Sequence, residues 1–121
     1  MRKTKDIETA LYEQFTDDGY SASCHAIPST LGQNMPHIHI VRTGGYEADL
    51  VVETNYIDFD VYADNDADCM AIASHLCGYV RDIPWAYMSE ISTLPYHNPD
   101  PRHPSVARVT FKAQIVTRTE D

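Results

Sequence analysis

The sequence predicts an α+β fold: a single domain with one mostly antiparallel β-sheet and two main helices packed against it. Three observations carry this. Two segments repeat apolar residues at helical spacing, several others alternate apolar and polar at a period of two, and a glycine pair between strand-like segments offers a tight hairpin. The chain of 121 residues fits one domain. With 43% hydrophobic residues, it can build one ordinary core without a disulfide or structural metal.

The first helix is expected over Asp6 to Phe15, where Ile7, Ala10, Leu11 and Phe15 form one stripe. Asp17-Asp18-Gly19 supplies turn chemistry to stop it. Ser21 to Ile27 reads as a short strand ended by Pro28, and Pro28 to Pro36 as loop. His37 to Arg42 alternates as a strand, and Thr43-Gly44-Gly45-Tyr46 offers the positive-φ positions of a hairpin turn. Asp49 to Glu53 resumes as a strand. Tyr56 to Tyr62 follows, with Ile57, Phe59 and Val61 on one face and Asp58 and Asp60 on the other.

The second helix rests on Cys69, Ile72, Ala73, Leu76, Val80 and Ile83, again one stripe. Asp64, Asp66 and Asp68 stand at its start, where an N-cap and the macrodipole favour carboxylates. Arg81 lies near its end and Pro84 stops it. Trp85 to Leu94 reads as a strand. Pro95 to Pro104 holds four of the seven prolines, so it is an extended, stiff excursion, neither helix nor central strand. Ser105 to Arg118 is the last strand, with Ala107, Val109, Phe111, Ala113 and Ile115 facing the core and Arg108, Thr110, Lys112 and Gln114 facing out.

Composition excludes several functions. No apolar run is long enough to span a membrane, and the charged start Met1-Arg2-Lys3-Thr4-Lys5-Asp6 is not expected to be a secretory signal. Cys24, Cys69 and Cys77 are odd in number and lack CxxC spacing. On one helix Cys69 and Cys77 would stand ~12 Å apart, too far for a disulfide, so a reducing compartment is expected. A net charge of −9 argues against gripping nucleic acid, which needs lysine and arginine; it suits a surface that nucleic acid must slide past. The acids cluster. Glu47, Asp49, Glu53, Asp58, Asp60, Asp64, Asp66 and Asp68 run without an intervening base, whereas most bases lie near the two ends. That polarity suggests complementary faces, within the fold or between copies.

Catalytic and metal chemistry finds weak signals. His37 and His39 share a strand face, and His25 from a neighbouring strand would complete three zinc ligands; polar-face histidines explain the same pattern. Asp64-Asn65-Asp66-Ala67-Asp68 opens like a calcium loop, but Cys69 and His75 occupy the positions needing Gly and Glu. There is no GxSxG elbow and no phosphate-binding glycine motif, Gly44-Gly45 standing alone. Asp58 and Asp60 are expected to meet bases across the sheet, Arg108 and Lys112 having the matching alternation.

Five features taken in order resemble one family. They are the N-terminal helix, the strand and turn HIHIVRTGGYEADL, the acidic strand YIDFDVYAD running straight into DNDADCMAIASHLCGYV, the proline-rich LPYHNPDPRHP, and the terminal strand VARVTFKAQIVTR. The chain resembles the tail terminator proteins of long-tailed bacteriophages over nearly its whole length, through the order of motifs more than through any single one. The resemblance implies a structural virion protein, not an enzyme, with no cofactor and no catalytic residue. It implies a hexameric ring that caps the tail tube, stops its polymerisation and joins the tail to the head, with genomic DNA crossing the lumen unbound. Its implied partners are further copies of itself, the tail-tube protein and a head-completion protein; its implied place is the tail or neck of the virion, assembled in the host cytoplasm. Asp58, Asp60, Asp64 and Asp66 become expected lumen or interface acids, Arg108 and Lys112 their expected partners, and Thr43, Gly44, Gly45, Tyr46 and the loop Pro95–Pro104 expected reaching elements. His25, His37 and His39 match no pattern of that family. The alternatives are another neck component, such as a head-completion or minor capsid protein, and a small metal-dependent enzyme using those three histidines.

Overall fold

The structure is a computed structural model that describes residues 6–28, 31, 35–47 and 52–118. Its elements are α1 (Ile7–Asp17), β1 (Ser21–Ser23), β2 (His37–Glu47), β3 (Val52–Ala63), α2 (Asp66–Arg81), β4 (Met88–His97) and β5 (Ala107–Arg118). The five strands form one sheet in the order β1-β2-β3-β5-β4, antiparallel except for β1 against β2. This is the expected α+β class.

Both helices cover one face of the sheet. The α1 stripe of Ile7, Ala10, Leu11 and Phe15 is buried as its spacing predicts. Asp6 caps its start, its carboxylate accepting from the Glu8 N–H, and Gly19 turns the chain at φ 89° beyond its end, a conformation that favours glycine. In α2, Cys69, Ala73, Leu76, Cys77 and Val80 are buried. Its cap is Asn65, which accepts from Asp68 N–H at 2.9 Å; Asp66 and Asp68 sit in the first turn, favourable to the helix dipole. Beneath the helices Ile38, Ile40, Ile57, Phe59, Val61, Val109, Phe111, Ala113 and Ile115 complete one core. Burying each large apolar side chain stabilises the fold by about 1.5–3 kcal/mol.

Several boundaries differ from expectation. Thr43–Tyr46 is not a hairpin turn: it lies inside β2, where the register shifts between Arg42 and Gly44, and the connection to β3 falls at 48–51, outside the described residues. Glycine is needed here for approach between backbones. A Cβ at Gly45, where φ is 156°, would stand 2.3 Å from the Thr54 carbonyl oxygen and 3.3 Å from Asn55 Cα. Gly45→Ala is therefore expected to push β2 off β3 and cost about 1–3 kcal/mol in a denaturant titration; an unchanged midpoint would mean that the ribbon moves aside freely.

The two strands expected over Asp49–Glu53 and Tyr56–Tyr62 are one, β3, so far as described. The polar Thr54-Asn55 joint stays in the ladder because Asn55 is satisfied: its amide donates to the Ile115 carbonyl at 3.1 Å, and its oxygen accepts from Arg42 Nε at 2.9 Å. The strand expected over Ser21–Ile27 ends at Ser23, beyond which the Cys24 thiol turns to the Glu8 carbonyl. The expected Trp85–Leu94 strand starts at Met88 instead, Trp85 being held off it by an indole bond to Gln14. β4 then runs through Pro95 to His97, which an edge strand tolerates because its outer N–H has no ladder to lose. The proline-rich excursion is thus shortened to a strap, residues 98–106.

Candidate functional site on the open face of the sheet

Neither described helix covers the second face of the sheet, and its side chains line up in rungs set by the register. One rung is His37, Tyr62 and Arg108; the next is His39, Asp60, Thr110 and Tyr96; the third is Val41, Asp58, Lys112 and Thr93. Further along, Tyr46, Thr54, Val116 and Met88 form an exposed-edged apolar rung.

The strap closes over the first rung. Tyr62 is fully buried although it lies on the open face, because its hydroxyl donates to Asp100 Oδ2 at 2.9 Å and the His103 ring packs edge-on against it. Asp100 also accepts from Arg102 N–H at 3.0 Å and stands 3.5 Å from Arg108 Nη1. Arg108 Nε donates to the Asn98 carbonyl as well. Burial pushes the Asp100 carboxyl up, but the Arg102 N–H, the Tyr62 hydroxyl and the two guanidiniums outweigh it and hold it below the ordinary carboxylate range.

At the β1 edge lies a chain of hydroxyls and imidazoles. Ser21 Oγ is 2.7 Å from His37 Nδ1, Ser23 Oγ is 2.8 Å from His37 Nε2, and the same oxygen is 2.9 Å from His39 Nδ1. Both rings are buried, His37 at 1% exposure. The chain fastens a three-residue strand to the sheet. His25 is exposed, on the turn after β1, and is not part of the chain. Among the described residues, no group of three or more His, Cys, Asp and Glu is placed to hold a metal ion.

Burial lowers the His37 imidazole below its ordinary value, and the nearby His39 adds to this. Burial likewise lowers His39, partly opposed by the Asp60 and Glu8 carboxylates, while His25 and Arg102 add to it. A depressed imidazole favours the fold when neutral, so its contribution is intact above the unfolded value of about 6.5 and falls away as pH drops below it. Stability is expected to decline between pH 7.5 and 5.5, and His37→Gln to flatten that decline. Equal slopes for the two proteins in urea titrations at both pH values would remove His37 as the cause.

The acids and bases expected from the sequence to form the site separate into three groups. Asp58 and Lys112 are cross-strand partners as expected, at 3.9 Å. Burial, with neighbouring Asp60, still raises the Asp58 carboxyl against the lowering by Lys112. Among the described residues Asp60 forms no ion pair with a lysine or arginine: it accepts from Thr110 Oγ1 at 2.6 Å and stands in register with His39. Arg108 does not serve the β3 acids either. Its rung partner is Tyr62 and its carboxylate is Asp100, because the strap reaches it first. Asp64 and Asp66 remain exposed, where β3 passes into α2. Of the expected reaching elements, Gly44, Gly45 and Tyr46 pair with β3 in the ladder and Thr43 sits at the register shift, while the Tyr46 side chain is 53% exposed and packs on Tyr56.

Asp100, Tyr62 and the serines at 21 and 23 belong to no motif recognisable in the sequence. The one available signal was an aspartate lodged between two prolines in a stretch otherwise without carboxylates. None of the described helices is long and apolar enough to cross a membrane. Comparison of the chain with models of protein families, and with curated proteins, finds no match.

Proposed function

We propose that this chain is a structural virion protein of the tail-terminator kind. It forms a hexameric ring that caps the tail tube, ends its polymerisation and joins the tail to the head, with DNA passing through the lumen. The observation that supports this most is the placement of the segments that carry the resemblance. YIDFDVYA is the C-terminal part of the central strand β3 and feeds α2 through two residues. VARVTFKAQIVTR supplies β5 alongside it, and LPYHNPDPRHP supplies the end of β4 and the strap clamped onto that pair. These three segments pack side by side.

The electrostatics fit a DNA passage. Asp64, Asp66 and Asp68 are exposed together at one end of the sheet, in a chain of net charge −9. A wall of that sign repels a passing phosphate backbone. Asp64 and Asp66 are the lumen or interface acids of this reading; Asp58 and Asp60 are engaged within the chain.

The test is arrest of tube growth. Purified protein added to a polymerising phage tail-tube protein is expected to stop elongation at far below equimolar ratio and to appear as a terminal density on tube ends. Tubes that lengthen at the same rate with bare ends would refute the capping role.

A further inference from the structure

β1 is the shortest of the described strands. It holds only Ser21, Ala22 and Ser23, paired in parallel with His37, Ile38 and His39 at the edge of the sheet. On either side the chain is tied to α1. The Tyr20 N–H donates to the Phe15 carbonyl, and the Cys24 thiol to the Glu8 carbonyl. Between those two ties the strand has a short backbone ladder and the side-chain sequence Ser21–His37–Ser23–His39.

That sequence is complete only while both rings are neutral. A neutral imidazole carries one N–H and one bare nitrogen. Ser21 Oγ can then donate to His37 Nδ1, His37 Nε2 to Ser23 Oγ, and Ser23 Oγ to His39 Nδ1; the reverse direction is equally complete. Every contact has one proton, and no charge is buried. A proton added at one of these nitrogens turns a serine hydroxyl away and leaves a positive ring out of water. With both rings charged, His37 Nε2 and His39 Nδ1 donate to the same Ser23 Oγ. Two cations then face each other across one oxygen that lies within 2.9 Å of each, and like charges at such range repel strongly.

The surrounding groups divide in sign. Asp60 on β3, in register with His39, and Glu8 on α1 favour charge on that ring; His25 on the following turn and Arg102 on the strap oppose it. The rung of His37 holds Tyr62 and the cation Arg108, both engaged by Asp100 above them. Burial pushes the Cys24 thiol up to about 11, so it stays neutral throughout.

We infer that β1 is an acid-opened latch: when His37 and His39 take up protons the serine–imidazole chain breaks, and residues 21–23 leave the sheet while the rest of the fold stays closed. In the open form both rings reach water and titrate near the ordinary value of about 6.5. Burial holds them lower in the closed form, so the latch is shut at neutral pH and loosens as pH falls below that value. α1 does not follow, because Leu11 and Phe15 remain fully buried in the core. Opening leaves β2 as the edge of the sheet, its backbone groups facing water. The inference is independent of the ring reading above.

Hydrogen exchange at pH 7.5 and 5.0, corrected for the intrinsic pH dependence of the chemistry, tests it. Protection of residues 21–23 is expected to fall by about tenfold or more at the lower pH, while β3 and β5 keep theirs, the pattern of a local opening. Glutamine offers one donor and one acceptor without titrating, so the double variant His37→Gln/His39→Gln is expected to lose the pH difference. Ser23→Ala removes the shared oxygen and is expected to leave β1 poorly protected at both pH values. Equal protection of wild-type β1 at the two pH values would overturn the latch. So would a fall shared by β3 and β5, a pH difference retained in the double variant, or a Ser23→Ala chain protected like the wild type.

Discussion

Phe59→Ala is expected to be the most damaging single truncation, lowering stability by about 3–5 kcal/mol and the melting temperature by about 10–20 °C. Phe59 is fully buried on the central strand. Its ring stacks on Phe111 with centroids 4.9 Å apart and 12° between planes, and Phe15 of α1 leans on it at 5.9 Å. It therefore joins α1 to the two central strands at one point. The neighbours are held by the β3–β5 ladder and by Tyr79, whose hydroxyl bonds to α1 at Gln14 and Asp18, so they cannot collapse into the space left. A loss under about 1.5 kcal/mol would show that the core repacks and that this stack is not its centre.

Asp100→Ala is expected to come second, at about 2–4 kcal/mol. Removing the carboxylate strips the acceptor from a buried Tyr62 hydroxyl and the counter-charge from the largely buried Arg108 guanidinium, which keeps its carbonyl acceptors at Asn98 and Pro99, and a buried group that loses its partner costs more than the bond returned. The strap should loosen at the same time. Hydrogen exchange at residues 98–106 is expected to quicken well beyond the change elsewhere, and exchange that rises uniformly would contradict a local clamp. The acid dependence has a definite sign. The folded carboxyl is held below its ordinary value of about 3.9. Its contribution is thus complete above that pH and is lost as pH falls through the lower, folded value. Asp100→Ala should lack this part of the acid transition.

Periodicity made the core legible and left the open face obscure, for a physical reason. The stripe of α1, the stripe of α2 and the inward positions of β3 and β5 follow from spacing alone, because apolar burial repeats with the backbone. The polar rungs obey no such rule. Asp58 found Lys112 because the two sit in register, but Arg108 was taken by Asp100 from a strap whose path depends on tertiary packing. His37 and His39 resemble metal ligands in sequence. Serines two residues apart on a three-residue parallel strand turned them into a fastening, and nothing in HxH foretells a neighbour of that kind. Gly44-Gly45 shows the same limit. The pair signals a tight local geometry, yet a bulge with close backbone approach uses it as readily as a turn does. The run of acids from Glu47 to Asp68 was visible along the chain, though not which of them stay free once the fold has paired the others: Asp58 meets Lys112, whereas Asp64 and Asp66 remain exposed.

The central claim is that this fold assembles into a closed ring. Native mass spectrometry over a concentration series, with negative-stain images of the largest species and of mixtures with tail-tube protein, tests it most directly. A six-fold ring with an open centre, alone or at tube ends, is the expected result. A chain that stays monomeric at every concentration and ignores tube ends, or one that associates only as a closed two-fold dimer, would contradict it.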